Sequence, residues 1–198
     1  GLFADLDIST IRSGPDHQQP VHTYLGTDEQ REQWWDFFRK KLREGRQGFV
    51  IAAIIDQETN AELRSVEKIY QQLQNDILSD FRIAVVHGKL PAEEKNQTMQ
   101  QFADHELDVI VATSVVEVGV NVPNASLMTI EDAQQFGLAQ LHQFRGRIRR
   151  GHHPGYICVF ASPNNDDAVE RLETFVNTLD GFELAEADFK MRGPGDLF

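Results

Sequence analysis

The sequence predicts an α/β fold in which a parallel sheet is covered by helices on both faces. Short apolar runs of strand length alternate with longer segments that carry apolar residues at helical spacing. The run FVIAAII (49–55) is apolar throughout, as expected of a strand that is buried on both faces. Strands that alternate with helices in this way imply a parallel sheet between two helical layers.

The predicted strands extend from residue 21 to residue 161. Most of them are rich in Val, Ile and Phe, the residue types that favour strands. They are VHTYL (21–25), FVIAAII (49–55), FRIAVV (81–86), DVIVAT (108–113), SLMTI (126–130) and YICVFA (156–161).

Helices are predicted between and after these strands. Thr27 and Gln30 form a capping box at the start of the first helix, which ends near Gly45. Pro91 is expected at the first position of the third helix, with acidic residues in the first turn. The predicted helices cover residues 27–44, 61–78, 91–104, 137–150 and a segment from about 165.

The bulk composition is that of a globular protein with a sizeable core. The chain has 198 residues, of which 40% are hydrophobic and 25% are charged, and its formal net charge is −12. This charge argues against a whole surface that attracts nucleic acid, but it allows a local basic patch. No apolar run approaches the roughly 20 residues that span a bilayer, and no signal peptide opens the chain. We expect a cytoplasmic protein that contacts no membrane.

One domain with small appendages is the expected organisation. Residues 1–20 contain Gly14 and two prolines and are predicted to be a linker, residues 21–163 a single α/β domain, and residues 164–198 a helical extension. Both ends suggest a part of a longer protein. The single cysteine, Cys158, is expected to be a buried strand thiol without a disulfide partner.

Polar residues follow two of the predicted strands. His87, Gly88 and Lys89 come after one strand, and Thr113 and Ser114 end another. Ligands of parallel sheets bind at the carboxyl ends of strands, so we expect this edge to be the working edge.

The chain lacks the loops that cradle a triphosphate. It has no G-x-x-x-x-G-K-[ST] run and no G-x-G-x-x-G run, and its only Gly-Lys pair, Gly88-Lys89, is followed by Leu90. Asp28 and Glu29 are better explained as capping charge than as a metal-binding pair. We therefore expect no tight ATP binding by this chain alone, no resident metal, and no small enzyme that acts by itself.

The segment HQFRGRIRRG (142–151) separates into two faces on a helical wheel. If residues 137–150 are helical, Gln140, Gln143, Arg147 and Arg150 share one stripe. Arg145 and Arg149 fall on the other side, with the apolar residues Leu138, Leu141 and Ile148. Guanidinium groups suit phosphate in geometry and charge. The stripe is either a phosphate-binding surface or a solvated polar face.

Two segments resemble superfamily 2 helicases of the RecG type. They are VATSVVEVGVNVPNA (111–125) and GLAQLHQFRGRIRRG (137–151), and further similarity occurs in FADLDIS (3–9), VVHGKLPAEEKNQTMQQF (85–102) and DGFELAEADFKMRGPGDL (180–197). The motor of the transcription-repair coupling factor is similar as well, but the RGPG and FADLDIS segments favour the RecG type.

The resemblance implies the second of two RecA-like motor lobes of a DNA helicase. ATP with Mg²⁺ would be held mainly by the preceding lobe of the same chain. Arg150 would act as the arginine finger beside Arg147, which would bind the γ-phosphate. The residues that correspond to positions at the nucleotide are Gln143, Gly119 and Asn121.

The resemblance also implies branched double-stranded DNA as the substrate. Thr113 with Ser114, and the segment His87, Gly88 and Lys89, would contact the DNA backbone without reading its sequence. A coupling segment would include Asp180, Gly181, Phe182 and Arg192. A monomer located at the nucleoid is the expected form.

Two departures from the family pattern bear on activity. Asn121 stands where the family usually has aspartate, and Arg149 stands where it has glycine. Arg149 either extends its stem outward along the apolar face or misplaces Arg150. A competing hypothesis follows, in which the chain is a non-catalytic nucleic-acid-binding or protein-docking relic of a motor lobe.

Overall fold

The computed structural model describes residues 21–54, 60–113, 121–148, 152–162 and 165–178. Within these ranges six strands form one sheet, and all the strand pairs are parallel. The strands are β1 (Val21–Gly26), β2 (Gln47–Ile51), β3 (Ile83–Val86), β4 (Val109–Ala112), β5 (Ala125–Ile130) and β6 (Gly155–Phe160). Their order across the sheet is β1-β6-β5-β2-β4-β3. The predicted parallel sheet is confirmed.

Helices cover both faces of the sheet, as predicted. They are α1 (Arg31–Arg43), α2 (Ala61–Gln72), α3 (Ala92–Ala103), α4 (Leu138–Arg147) and α5 (Asp166–Asn177). Helices α1 and α2 pack on one face, whereas α3, α4 and α5 contribute to the core on the opposite face. Helix α2 continues as a π-helical turn, Leu73–Ile77.

Alternation along the strands divides the apolar residues between the two cores. In β2, Phe49 and Ile51 join the core under α3 to α5, and Val50 between them joins the core under α1 and α2. In β6, Ile157 faces the first of these cores and Cys158 the second. Successive strand side chains point to opposite faces, so a continuous apolar run is what a sheet buried on both sides requires.

Helix α1 contributes the main aromatic layer. Its buried side chains include Trp34, Trp35 and Phe38, as expected from the sequence. The ring nitrogen of Trp34 donates a buried hydrogen bond to Thr129 Oγ1 at 2.8 Å, which fixes the helix over the carboxyl end of β5. The predicted capping box of Thr27 and Gln30 is present, although the chain first forms a 3₁₀ turn, Asp28–Gln30, before α1 begins.

Several predicted boundaries differ from the structure by a few residues, and three of them concern β2, α3 and α4. Strand β2 ends at Ile51 rather than at residue 55, because its neighbours β4 and β5 end opposite Ile51, and the N–H of Ala52 makes one more bond to the carbonyl oxygen of Ala112 at the end of β4. Pro91 caps α3 from outside, since its ψ of 146° is extended, and the helix begins one residue later. Helix α4 ends at Arg147, where the prediction extended it to residue 150.

The cysteine agrees with the expectation from the sequence. Cys158 is buried in β6, and burial raises the pKa of its thiol well above the ordinary value. Within the described part of the chain, no helix is long and apolar enough to cross a membrane.

The hydrogen bond of Trp34 predicts different costs for two neighbouring substitutions. Trp34→Phe should lower the free energy of unfolding by about 1–2 kcal/mol more than Trp35→Phe, because it leaves buried Thr129 without its donor. Trp35 is the matched control, since its buried ring nitrogen has no hydrogen-bond partner among the described residues. Urea denaturation of the two variants measures the difference. Equal losses would show that the bond to Thr129 contributes nothing.

Candidate functional site

A carboxylate organises the polar residues at the carboxyl edge of the sheet. Thr113 Oγ1 donates to Glu62 Oε1 at 2.7 Å. The backbone N–H of Gly88 donates to the same oxygen. One carboxylate oxygen therefore accepts hydrogen bonds from the ends of two different strand segments.

The fold explains why these three residues meet. Thr113 directly follows β4, and Gly88 lies two residues after β3, so parallel neighbouring strands bring both to one edge. Glu62 lies in the first turn of α2, which begins beside this edge after Asn60. Asn60 has a positive φ of 69°, in the left-handed region that Asn tolerates better than most residues.

Gly88 leaves room for the carboxylate. A Cβ atom at this position would lie 3.0 Å from Glu62 Oε1 and 3.1 Å from Oε2. Gly88 does not have a positive φ, so its lack of a side chain matters here for the close approach of the carboxylate and not for a special backbone angle. A backbone N–H without a neighbouring side chain is the form of donor that binds oxyanions closely.

Two lysine side chains lie close to the Glu62 carboxylate and Gly88. Lys89 Nζ donates to Asn60 Oδ1 at 3.1 Å, and its backbone N–H donates to His87 Nδ1 at 3.2 Å. Lys95, on the first half of α3, donates from Nζ to the carbonyl oxygen of Gly88 at 3.0 Å. Two lysines thus place amino groups beside Asn60 and Gly88, the neighbours of the Glu62 carboxylate.

The electrostatics of Glu62 reflect these neighbours. Burial acts to raise the pKa of its carboxyl, but hydrogen bonds from Thr113 and the Gly88 N–H act in the opposite direction. Attraction to His87 and Lys89 adds to them, and the pKa lies below its ordinary value. Glu62 is therefore held as a carboxylate, which is an acceptor only.

The structure brings together most of the residues predicted to contact DNA. His87, Gly88, Lys89 and Thr113 lie at one edge, whereas Ser114 lies outside the described residues. Glu62 was not predicted as a site residue. The available signal was an acidic residue in the first turn of a helix, which is ordinarily explained by the helix dipole.

Helix α4 has the two faces that the helical wheel predicts. Gln143 is exposed and Arg147 is partly exposed, whereas Leu138, Leu141 and Ile148 are buried. The helical wheel assumed a helix over residues 137–150, whereas α4 ends at Arg147. Arg149 and Arg150 lie outside the described residues.

Arg145 is fully buried on the apolar side of α4. Its Nη1 donates to Thr23 Oγ1 at 3.2 Å and to the carbonyl oxygen of Phe175 at 2.9 Å, and its Nη2 donates to the carbonyl oxygen of Thr178 at 2.6 Å. The guanidinium also lies 4.4 Å from the centre of the Phe175 ring. Arg145 therefore caps the carboxyl end of α5 and ties it to α4 and β1, a role that the sequence did not indicate.

Of the other predicted nucleotide and coupling residues, Asn121 alone lies within the described ranges, and it is exposed. Gly119 and the predicted coupling residues Asp180, Gly181, Phe182 and Arg192 lie outside the described residues. In the described ranges, no group of three or more His, Cys, Asp or Glu side chains could hold a metal ion.

A cavity of about 560 Å³ opens near the same edge, between α1 and α2. Arg31 lines it, donates to both oxygens of Glu131 at 2.7 and 2.6 Å, and lies 4.0 Å from the centre of the Phe160 ring. Arg64 and Lys68 also line this cavity, and no residue of the predicted site does.

Comparison with known proteins gives a consistent result. The family model of the helicase conserved C-terminal domain matches residues 27–152. An ATP-dependent DNA helicase RecG of Staphylococcus epidermidis is 43% identical over 198 residues, and one of Staphylococcus aureus is 42% identical. Each match covers 100% of this chain but 29% of the relative, so the chain spans less than a third of their length.

Solved structures share the fold. RecG bound to a three-way DNA junction is 36% identical with a TM-score of 0.76, and the match covers 90% of this chain and 23% of that chain. The C-terminal domain of the DEAD-box protein Dbp5 is 15% identical with a TM-score of 0.51, over 89% of this chain and 99% of that chain. The second likeness shows the fold alone.

The buried bonds of Arg145 predict a large cost for a conservative change. Arg145→Lys should lower the free energy of unfolding by about 2–3 kcal/mol, because one ammonium cannot reproduce the fork that reaches three oxygens. Arg43→Lys, at an exposed position of α1, is the control and should change it by less than about 0.5 kcal/mol. Denaturant titration checks both values, and a loss at Arg145 as small as that at Arg43 would contradict the role of the fork.

Proposed function

Because this chain belongs to the family of helicase conserved C-terminal domains, we propose that it is the second motor lobe of a RecG-type ATP-dependent DNA helicase. Its fold is the RecA-like parallel sheet of such lobes. Residues 1–20 would lead in from the preceding lobe, residues 21–163 would form this lobe, and residues 164–198 would begin the coupling extension.

The observation that carries the proposal is the set of donors that holds the Glu62 carboxylate at the carboxyl edge of the sheet. The donors of Gly88 and Thr113 already hold a carboxylate, with Lys89 and Lys95 nearby. A backbone phosphate is also a negatively charged oxygen acceptor and suits the same donors. Contacts of this kind fix the register of a protein on DNA and carry no sequence information, which fits an enzyme that recognises branched DNA by shape.

The nucleotide side of the proposal involves the polar face of α4. Gln143 and Arg147 lie on the side of the helix that is not buried in the core, where a second lobe could be reached. ATP with Mg²⁺ would be bound mainly by that preceding lobe. Arg150 would complete the site as the arginine finger, with Gly119 and Asn121 near the nucleotide.

The proposed substrate is branched double-stranded DNA. The solved RecG structure contains a three-way DNA junction, and this chain is 36% identical to that protein over the matched region. The full-length protein would reverse forks and drive branch migration in recombination and repair. It would act as a monomer in the cytoplasm, at the nucleoid, with both lobes in one polypeptide.

A second candidate is a motor lobe that has lost its chemistry and binds nucleic acid or a protein. Asn121 and Arg149 favour it, because they replace the aspartate and the glycine of the family pattern. The two candidates differ in the sequence upstream of residue 1. A phosphate-binding loop and an acidic Mg²⁺-binding motif there would support the motor, and their absence would support the relic.

DNA-stimulated ATP hydrolysis by the full-length protein tests the motor function. Forked DNA should stimulate hydrolysis more strongly than linear duplex of equal length at the same salt concentration, because the proposed enzyme recognises branches. Steady-state phosphate release measures both rates. Absence of stimulation by any DNA would refute the motor and leave the relic.

Substitution of the proposed finger should separate hydrolysis from DNA binding. Arg150→Ala in the full-length protein should lower kcat for ATP by about 10³-fold or more, because an arginine finger stabilises charge only in the transition state. Arg147→Ala should also lower it, and Arg43→Ala is the control that should leave it unchanged. DNA affinity should change little in all three variants. Unaltered hydrolysis in Arg150→Ala would show that the finger is a different residue.

A further inference from the structure

The Glu62 carboxylate occupies the position at which a DNA phosphate would bind. The two donors that hold it, the N–H of Gly88 and the hydroxyl of Thr113, are the donors that the proposed function assigns to the DNA backbone. The carboxylate lies against the face of Gly88 that has no side chain, with both of its oxygens within 3.1 Å of the place of a Cβ atom. A second anion on this face of Gly88 would therefore meet the carboxylate oxygens.

The two anions exclude each other for reasons of chemistry as well as space. The N–H of Gly88 and the hydroxyl of Thr113 each carry one proton to donate, and both point to one oxygen of Glu62. A phosphate that entered with the carboxylate in place would meet a like charge and find the donors engaged. It must therefore replace the carboxylate.

We propose that Glu62 is a built-in competitor of the DNA backbone, which binds the phosphate site when DNA is absent and is displaced when DNA binds. This inference rests on the proposed function. The ligand is a phosphodiester group, and Glu62 sets the affinity by lowering the fraction of lobes whose site is open.

The structure allows such a displacement. Glu62 lies in the first turn of α2 and is only partly buried, so its side chain can rotate toward solvent without opening the core. The remaining neighbours are suited to the incoming anion, since Lys89 and Lys95 place amino groups beside Asn60 and Gly88. Thr113, in contrast, is 3% exposed and holds its hydroxyl in place at the end of β4.

A competitor of this kind serves a protein that moves along DNA. Each step along DNA requires the release of one phosphate and the capture of the next. After release and before capture, the Glu62 carboxylate would accept the hydrogen bonds of Gly88 and Thr113. Without it, the buried hydroxyl of Thr113 would lose a partner at each release, which disfavours the open state.

Glu62→Gln tests the competition directly. Glutamine keeps the size and an acceptor oxygen but removes the charge, so it should compete less well than the carboxylate. In the full-length protein we expect a dissociation constant for forked DNA about 5–10-fold lower, which corresponds to about 1–1.4 kcal/mol, and a lower DNA concentration for half-maximal ATP hydrolysis. Glu67→Gln removes an equal charge from an exposed position of the same helix and should change neither value.

Two further variants locate the effect at the shared donors. Thr113→Val combined with Glu62→Gln should abolish most of the gain, because the released phosphate site then lacks its hydroxyl. Gly88→Ala introduces a Cβ where both anions bind, so it should weaken DNA binding and remove the advantage of Glu62→Gln. A parallel unfolding titration of every variant shows whether a change in DNA affinity reflects a loss of folded protein.

The outcomes separate this inference from the proposed function. If wild-type protein shows DNA-stimulated hydrolysis and Glu62→Gln binds DNA with equal or lower affinity than wild type, Glu62 is a structural residue and the competition is wrong. If no DNA stimulates the wild-type protein, the proposed function itself fails. An equal gain in Glu67→Gln would also overturn the competition, because it would reduce the effect to net charge.

Discussion

Burial of a parallel sheet on both faces is the constraint on which the arrangement of this lobe depends. The neighbouring interior strands β2 and β4 are buried along their whole length, and their apolar side chains alternate between two cores. The buried polar side chain of β2, Gln47, uses its amide to bond the carbonyl oxygens of Phe102 and Leu107 and is not open to a ligand. The hydrogen-bond donors of the site, the N–H of Gly88 and the hydroxyl of Thr113, lie where strands end. Parallel pairing of β3 and β4 places both at one edge of the sheet.

Two charged residues illustrate opposite ways of meeting this constraint. Arg145 is fully buried, and its guanidinium holds two carbonyl oxygens at the end of α5 and a hydroxyl of β1. Removal of a buried charge-assisted network is costly, so this contact fixes the relation of α4 to α5. Glu62 is partly buried at the edge, where rotation toward water remains open to it. The buried contact of Arg145 supports the fold, whereas the contact of Glu62, which we propose to be exchangeable, lies at the candidate site.

The position of Arg145 gives α4 a double role. The exposed side of this helix carries Gln143 and Arg147, which are the residues proposed to face the nucleotide, and its buried side holds the end of α5. The chain that follows α5 is the proposed coupling segment.

The sequence by itself determined the features that depend on local pattern. Apolar runs and helical spacing predicted the parallel sheet and its two helical layers, the capping box at Thr27 was visible as a four-residue motif, and the wheel placed Gln143 and Arg145 on opposite sides of α4.

The tertiary structure alone decided the partners of the charged groups. Glu62 and Thr113 are 51 residues apart, and Arg145 and Thr23 are 122 apart. It also decided where β2 ends, because that depends on the lengths of neighbouring strands rather than on the hydropathy of residues 52–55. The periodicity of apolar residues indicates which side of a helix or strand is buried. The partner that a given side chain contacts depends on how all the elements pack on the sheet.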